Sequence, residues 1–169
     1  GMEKRGRGFT GLMYHGLMVT EDGVWPLEGN SRFGDPETQA YLLNMQSDIV
    51  PFLMGCAVDE LTQAGEIMWH EGFAVVVTLA CATYPYQSER DAVIEGIEDA
   101  EKIPGMVIFH GGTRARDDKI VTNGGRILYV GYRASAIPEA RRVIYNEAIP
   151  KIHFPGMQFR KDIAARLPA

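Results

Sequence analysis

From Gly72 onward the chain is a succession of short β-type runs punctuated by paired glycines, a pattern that restricts it to small sheets joined by tight connections. Residues 73–82 form a dense run containing Ala-Val-Val-Val-Thr-Leu. Residues 106–110 and 127–132 read as further strands and 120–122 as a short one, with Gly111-Gly112 and Gly124-Gly125 between them. Residues 137–152 then carry Ala140, Val143, Ile144 and Ala148 at helical spacing. Pro138 lies near the start of that helix, and Pro150 in its last turn predicts a kink or an early end. The segment after Pro155 is expected to finish in a short basic helix.

The first part of the chain has a different character. Residues 9–20 read as a strand whose two alternating sets, Leu12, Tyr14, Gly16, Met18 and Met13, His15, Leu17, are both largely apolar; cover on both faces is expected. Glu21-Asp22-Gly23 signals a tight turn, and residues 24–30 return as the second strand of a hairpin. Pro26 cannot donate to a ladder, so it is expected at an edge or a bulge. Asp35, Pro36 and Glu37 predict a helix start, as N-cap, first position and first-turn acid. Its apolar positions, Ala40 to Met54, imply two pieces broken near residues 46–48. Residues 59–71 look like a connection, and a boundary between lobes is expected near residues 62–72. The fold class is therefore α+β: a hairpin with helices, then a mixed β lobe with one long helix.

The run Glu28-Gly-Asn-Ser-Arg-Phe-Gly-Asp-Pro-Glu-Thr-Gln39 concentrates the chemistry. On an extended strand side chains alternate faces, so Glu28, Asn30 and Arg32 are expected on one side. A carboxylate, an amide oxygen and a fixed cation together suit Mg²⁺ bridging nucleotide phosphates, with the arginine steadying the moving charge. The plainer reading is a solvated hairpin edge, with Arg32 in an ion pair to Asp35 or Glu37. His15 and His110 fall in strands and read as structural, with no Ser or Cys beside them for nucleophilic catalysis. Gly124-Gly125-Arg126 either lets backbone approach a phosphate or makes a hairpin turn; spacing does not choose.

Bulk properties bound the partners. A net charge of −5 argues against general nucleic-acid binding, which depends on excess cation. The longest apolar stretch, residues 73–86, is too short to span a bilayer, and no signal-peptide pattern is visible. Cys56 and Cys81 are widely spaced and read as reduced, in line with a cytoplasmic protein. Gly1 ahead of Met2 reads as a residue left by an expression tag.

Several segments in order resemble phosphoribosylamine–glycine ligase. They are Gly11-Leu-Met-Tyr-His-Gly-Leu-Met18, the Glu28 to Gln39 run and Ser47-Asp48; then Tyr84-Pro85, Phe109-His-Gly-Gly-Thr113, Val121-Thr-Asn-Gly-Gly-Arg-Ile-Leu128 and Gly156-Met-Gln-Phe-Arg-Lys-Asp-Ile163. The first three resemble the end of that family's ATP-grasp domain and the rest its C-terminal domain, which implies domains at 8–64 and 72–169. The family joins glycine to 5-phosphoribosylamine with ATP, through glycyl phosphate, in purine biosynthesis. Carried onto this chain, Glu28 and Asn30 match its Mg²⁺ or Mn²⁺ ligands and Arg32 the arginine beside the transferred phosphate. Gly125, Arg126 and Arg160 are the candidate substrate contacts, against a hairpin turn for the first two and a solvated basic helix for Arg160.

The chain also departs from the family. Gly29 replaces a bulky apolar residue, commonly Phe, and Thr83 replaces the Gly before Tyr84-Pro85. Nothing resembles the N-terminal domain, the Gly-rich ATP lid or the lysines of the first half of the grasp. The expectation is a C-terminal piece, inactive alone. The alternatives are a free-standing interaction module or one subunit of a split ligase. Unpaired strand edges predict a homodimer.

Overall fold

In β1 (Tyr14–Thr20) and β2 (Gly23–Asn30) the hairpin expectation holds: the strands pair antiparallel across Glu21-Asp22, with Thr20 opposite Gly23. The register slips once. Gly16 faces Glu28 and Leu17 faces Pro26, so Leu27 is the extra residue of a bulge. Pro26 thus sits beside the bulge, where a missing N–H costs little. Two expectations fail here. The strand begins at Tyr14 rather than Phe9, and it is covered on neither face: Leu17, Val19, Val24 and Leu27 are all exposed. A two-stranded ribbon offers no second layer of its own to bury apolar side chains.

The structure is a computed structural model describing residues 3–165. It divides into two units, Gly1–Thr38 with Met45–His70, and Gln39–Asn44 with Glu71–Ala169. After the hairpin, α1 (Glu37–Asn44) starts one residue later than expected, behind a turn in which the amide and hydroxyl of Thr38 both donate to the Gly34 carbonyl, at 3.2 and 2.5 Å. The predicted break follows. α2 (Val50–Ala57) opens where the Asp48 carboxylate accepts the Val50 amide at 2.9 Å, and a 3-10 turn at Leu61–Ala64 closes the first unit.

The second unit is built on two three-stranded antiparallel sheets. The first, in order β3-β8-β5, consists of β3 (Phe73–Ala80), β8 (Arg126–Ala134) and β5 (Met106–His110). The second, in order β4-β7-β6, consists of β4 (Glu89–Val93), β7 (Lys119–Gly124) and β6 (Thr113–Arg116). β4, β6 and the short α3 (Ile97–Glu101) were not legible as elements. The central strand β8 buries Ile127, Leu128 and Val130 completely, which is why its sequence is an unbroken apolar run. Ile144, Ala148 and Ile152 close the core from one side. Ile144 and Ala148 bound the π-type continuation (Ile144–Ala148) of α4 (Ile137–Val143), and Ile152 follows the 3-10 turn Ile149–Lys151 in which Pro150 ends the helix, as its position predicts. The basic helix expected after Pro155 does not form within the described residues. Gln158 instead adds a bridge to Ala80, and the chain turns at residues 163–165; residues 166–169 lie outside the described residues.

The glycine pairs do something a hairpin reading misses. Gly111-Gly112 carries the chain from β5 to β6, and Gly125 carries it from β7 to β8; each step changes sheet. The crossings touch. Gly112 donates its amide to Arg126 O at 2.7 Å, and its carbonyl accepts from Asn123 N at 2.7 Å. A Cβ on Gly112 would lie 2.8 Å from Gly124 Cα. Backbones this close leave no room for any side chain.

Candidate functional site

The hairpin register decides which side chains meet in the first unit. Glu28 and Asn30 lie two residues apart beyond the bulge, opposite Gly16 and Tyr14. They share a face, and Asn30 Nδ2 donates to Glu28 Oε1 at 3.1 Å. Gly16 favours this arrangement: a Cβ there would lie 2.9 Å from Glu28 Cγ, so the glutamate stem occupies space that any side chain at 16 would contest. Arg32 departs from expectation. β2 ends at Asn30, and Arg32 sits in a bend with Nη1 donating to the Phe33 carbonyl at 2.8 Å. Strand alternation therefore accounts for Glu28 and Asn30 but not for Arg32. Gly34 is buried, and its missing side chain leaves space taken by Glu37 and the Tyr14 ring.

Two oxygen-bearing side chains within hydrogen-bond reach fit a hard cation that takes the rest of its ligands from phosphates and water. They do not make an all-protein cage: no group of three or more His, Cys, Asp or Glu able to hold a metal occurs among the described residues. A bound cation would require Asn30 to turn its amide oxygen, rather than its NH₂, toward the ligand position.

The second unit carries the other expected contacts. Gly125 accepts the Cys81 amide at 2.9 Å through its carbonyl, and a Cβ on it would lie 2.7 Å from Tyr84 Cδ2. The Arg126 guanidinium lies over the same Tyr84 ring, 6.0 Å from its centre. Tyr84 belongs to the loop after β3, which is stitched by Tyr84 N to Cys81 O at 3.2 Å and Gln87 N to Thr83 O at 3.0 Å. Arg160 is not part of this cluster's contacts. Both carboxylate oxygens of Asp162 accept from it, at 2.9 and 2.6 Å, and this partner holds its guanidinium above its ordinary value, first by the hydrogen bonds and then by charge. Its carbonyl accepts the Tyr145 hydroxyl at 2.6 Å. His110 is exposed and shares a 2.9 Å hydrogen bond with Thr113, a local role.

Sequence reasoning did not single out Tyr84, Gln158 or Gly16 as site residues. Gly16 becomes visible only once the bulge sets the strand register. Tyr84 and Gln158 lie 74 residues apart along the chain and meet only through the fold.

Residues 1–38 match the family model "Phosphoribosylglycinamide synthetase, ATP-grasp (A) domain", and residues 74–166 match "Phosphoribosylglycinamide synthetase, C domain". The chain belongs to the phosphoribosylglycinamide synthetase family. It is 39% identical over 160 residues to the phosphoribosylamine–glycine ligase of Halalkalibacterium halodurans, covering 95% of this chain and 36% of that protein. It is 38% identical over 169 residues to the trifunctional purine biosynthetic protein adenosine-3 of Gallus gallus, covering 98% of this chain and 16% of that one. The crystal structure of the Thermotoga maritima phosphoribosylamine–glycine ligase superposes with a TM-score of 0.74 at 35% identity, over 96% of this chain and 39% of its own. The chain thus spans less than half the length of these relatives.

Proposed function

We propose that this chain supplies the metal-holding strand and the C-terminal domain of a ligase that joins glycine to 5-phosphoribosylamine at the expense of ATP. The observation that carries this reading is the Glu28–Asn30 pair, brought to one face by the hairpin register inside a segment matched to the family's ATP-grasp domain. In that reaction a glycine carboxylate oxygen bonds to the γ-phosphorus and ADP leaves. The amine then bonds to the activated carbonyl, phosphate leaves and the amine gives up a proton. Such chemistry rests on positioning and charge neutralisation. Glu28 and Asn30 would hold Mg²⁺ or Mn²⁺, which offsets phosphate charge when bound. Arg32, once released from the Phe33 carbonyl, offers a fixed cation to the transferred phosphate.

In the second unit, Gly125 and Arg126 are the substrate contacts we favour, with Tyr84 as the surface under the guanidinium. Arg160 would have to exchange its bidentate carboxylate partner for a phosphate, so its part in binding is subordinate. ATP, glycine and 5-phosphoribosylamine are the small-molecule partners in this reading. A cytoplasmic setting agrees with two free cysteines and with no helix, among the described residues, long and apolar enough to cross a membrane.

The metal assignment is tested by adding substoichiometric Mn²⁺ to isotopically labelled chain and recording amide resonances. Broadening centred on Gly16, Glu28 and Asn30 is expected, with affinity in the millimolar range for so few protein ligands. Broadening that persists at those positions in the Glu28→Gln/Asn30→Ala double variant would count against the assignment.

A further inference from the structure

The loop of residues 81–87 carries Tyr84, the ring on which Gly125 and Arg126 rest, yet its own turn bonds do not tie it to the body of the second unit. The Cys81 amide anchors the loop's first residue to Gly125 O at 2.9 Å, and one side chain, Gln158, holds the carbonyls around the ring. Gln158 Nε2 donates to Cys81 O at 2.7 Å and to Tyr84 O at 3.1 Å, with Ala82 O a further 3.4 Å away. A primary amide has two N–H groups, so the two shorter contacts use both. The donor itself is fixed, because Gln158 pairs its backbone with Ala80 in both directions at 2.8 Å. Gln158 thus forms an isolated strand-like bridge to Ala80, and its side chain reaches the loop.

We infer that Gln158 is a positioning residue for the substrate subsite at Gly125 and Arg126: it holds the Tyr84 loop closed so that the ring stays against Gly125 and beneath the Arg126 guanidinium. The inference rests on the proposed reading of Gly125 and Arg126 as contacts for a sugar phosphate. The ligand class is a phosphate monoester of a pentose, which an arginine next to a glycine-lined backbone can receive. Removing the Gln158 donors frees Cys81 O and Tyr84 O, lets the ring leave Gly125 and costs the arginine its support. Gln158 and Tyr84 are exposed, so water satisfies the freed Tyr84 carbonyl, whereas Cys81 is buried and its carbonyl loses its partner, which lowers stability without removing any apolar core side chain.

The experiment titrates labelled chain with ribose 5-phosphate and reads the amides of Gly125 and Arg126, for the unaltered chain and for Gln158→Met, Tyr84→Ala and the double variant. Thermal melts accompany each. The expected result is a dissociation constant raised about fivefold in Gln158→Met, the scale of one lost hydrogen bond, with a modest fall in melting temperature and the chain still folded at the titration temperature. Tyr84→Ala should weaken binding similarly, and the double variant no further, because both act through one ring. Equal affinity in Gln158→Met, or losses that add in the double variant, overturns the positioning role and leaves the subsite standing. No shift at Gly125 and Arg126 in the unaltered chain overturns the subsite and the inference with it.

Discussion

At the scale of single residues, the hairpin sorts its glycines into one that must stay and one that need not. Gly16 faces Glu28, and a methyl group there would press on the glutamate stem at 2.9 Å. Gly16→Ala should push Glu28 off its rotamer, at about 0.5–1.5 kcal/mol, and weaken Mn²⁺ binding several-fold; unchanged metal affinity would contradict the positioning of Glu28 by Gly16. Gly29 lies on the other face, across from His15, and a Cβ there meets only the His15 ring at an ordinary 3.5 Å. The bulky residue that resemblance leads one to expect at this position therefore has room to begin. Gly29→Ala should stabilise the first unit by roughly 0.5–1 kcal/mol through lost chain entropy. Urea unfolding followed by Trp25 and Trp69, the only two tryptophans and both in that unit, would reveal it. Asp91 offers a different reading. The Arg114 guanidinium, hydrogen-bonded to it and aided by Arg116, holds its carboxyl below the ordinary aspartate value. A depressed carboxyl contributes above its unfolded value and loses that contribution as pH falls through the folded one. A carbon-detected titration should find the Asp91 midpoint below that of a free aspartate, and a midpoint at or above it would dissolve the link between β4 and β6.

Whole elements were readable where burial imposes a pattern on the chain. β3 and β8 are apolar runs because successive residues on both faces are buried, β5 buries Met106 and Ile108 and half-buries the residue between, and the long helix is visible because its inner face repeats at helical spacing. β4 and β6 were invisible for the opposite reason. Glu-Arg-Asp-Ala-Val and Thr-Arg-Ala-Arg are polar, and they become strands because each pairs with β7. The glycine pairs are legible as punctuation between strands, but their role as crossings is not, since nothing local distinguishes a hairpin from a crossing between two sheets. The crossing makes a firm prediction. Gly112→Ala sets a Cβ 2.8 Å from both Gly124 Cα and Arg126 O, backbone atoms that cannot swing aside, and should cost about 2–3 kcal/mol or more. Gly8→Ala, where a Cβ meets nothing within 4 Å, serves as the control, within about 0.5 kcal/mol of the unaltered chain. Equal melting temperatures for the two variants would refute the close crossing.

At the scale of the whole molecule the hairpin stands out for its exposed apolar surface. Leu17, Met18, Val19, Val24, Trp25 and Leu27 are all exposed, on a ribbon with both outer edges unpaired among the described residues. Apolar surface of this kind associates, and a dimer is expected by light scattering at micromolar concentration; a monomer there, or a dimer untouched by Leu17→Lys with Val19→Lys, would exclude the hairpin as its interface. The two apolar sets of the first strand led to the expectation of cover on both faces, and that expectation follows from composition alone, whereas exposure depends on which chains are at hand. The same division runs through the site. The order of residue types makes Glu28 and Asn30 legible as a metal-capable pair, and the succession of motifs makes the family legible, because both are carried by neighbours along the chain. The bulge that sets Glu28 over Gly16, the bend that takes Arg32 off the strand, and the meeting of Tyr84, Gly125, Arg126 and Gln158 were decided only by the tertiary structure. Those contacts join positions up to 74 residues apart, and no local propensity specifies which distant carbonyl an amide will reach.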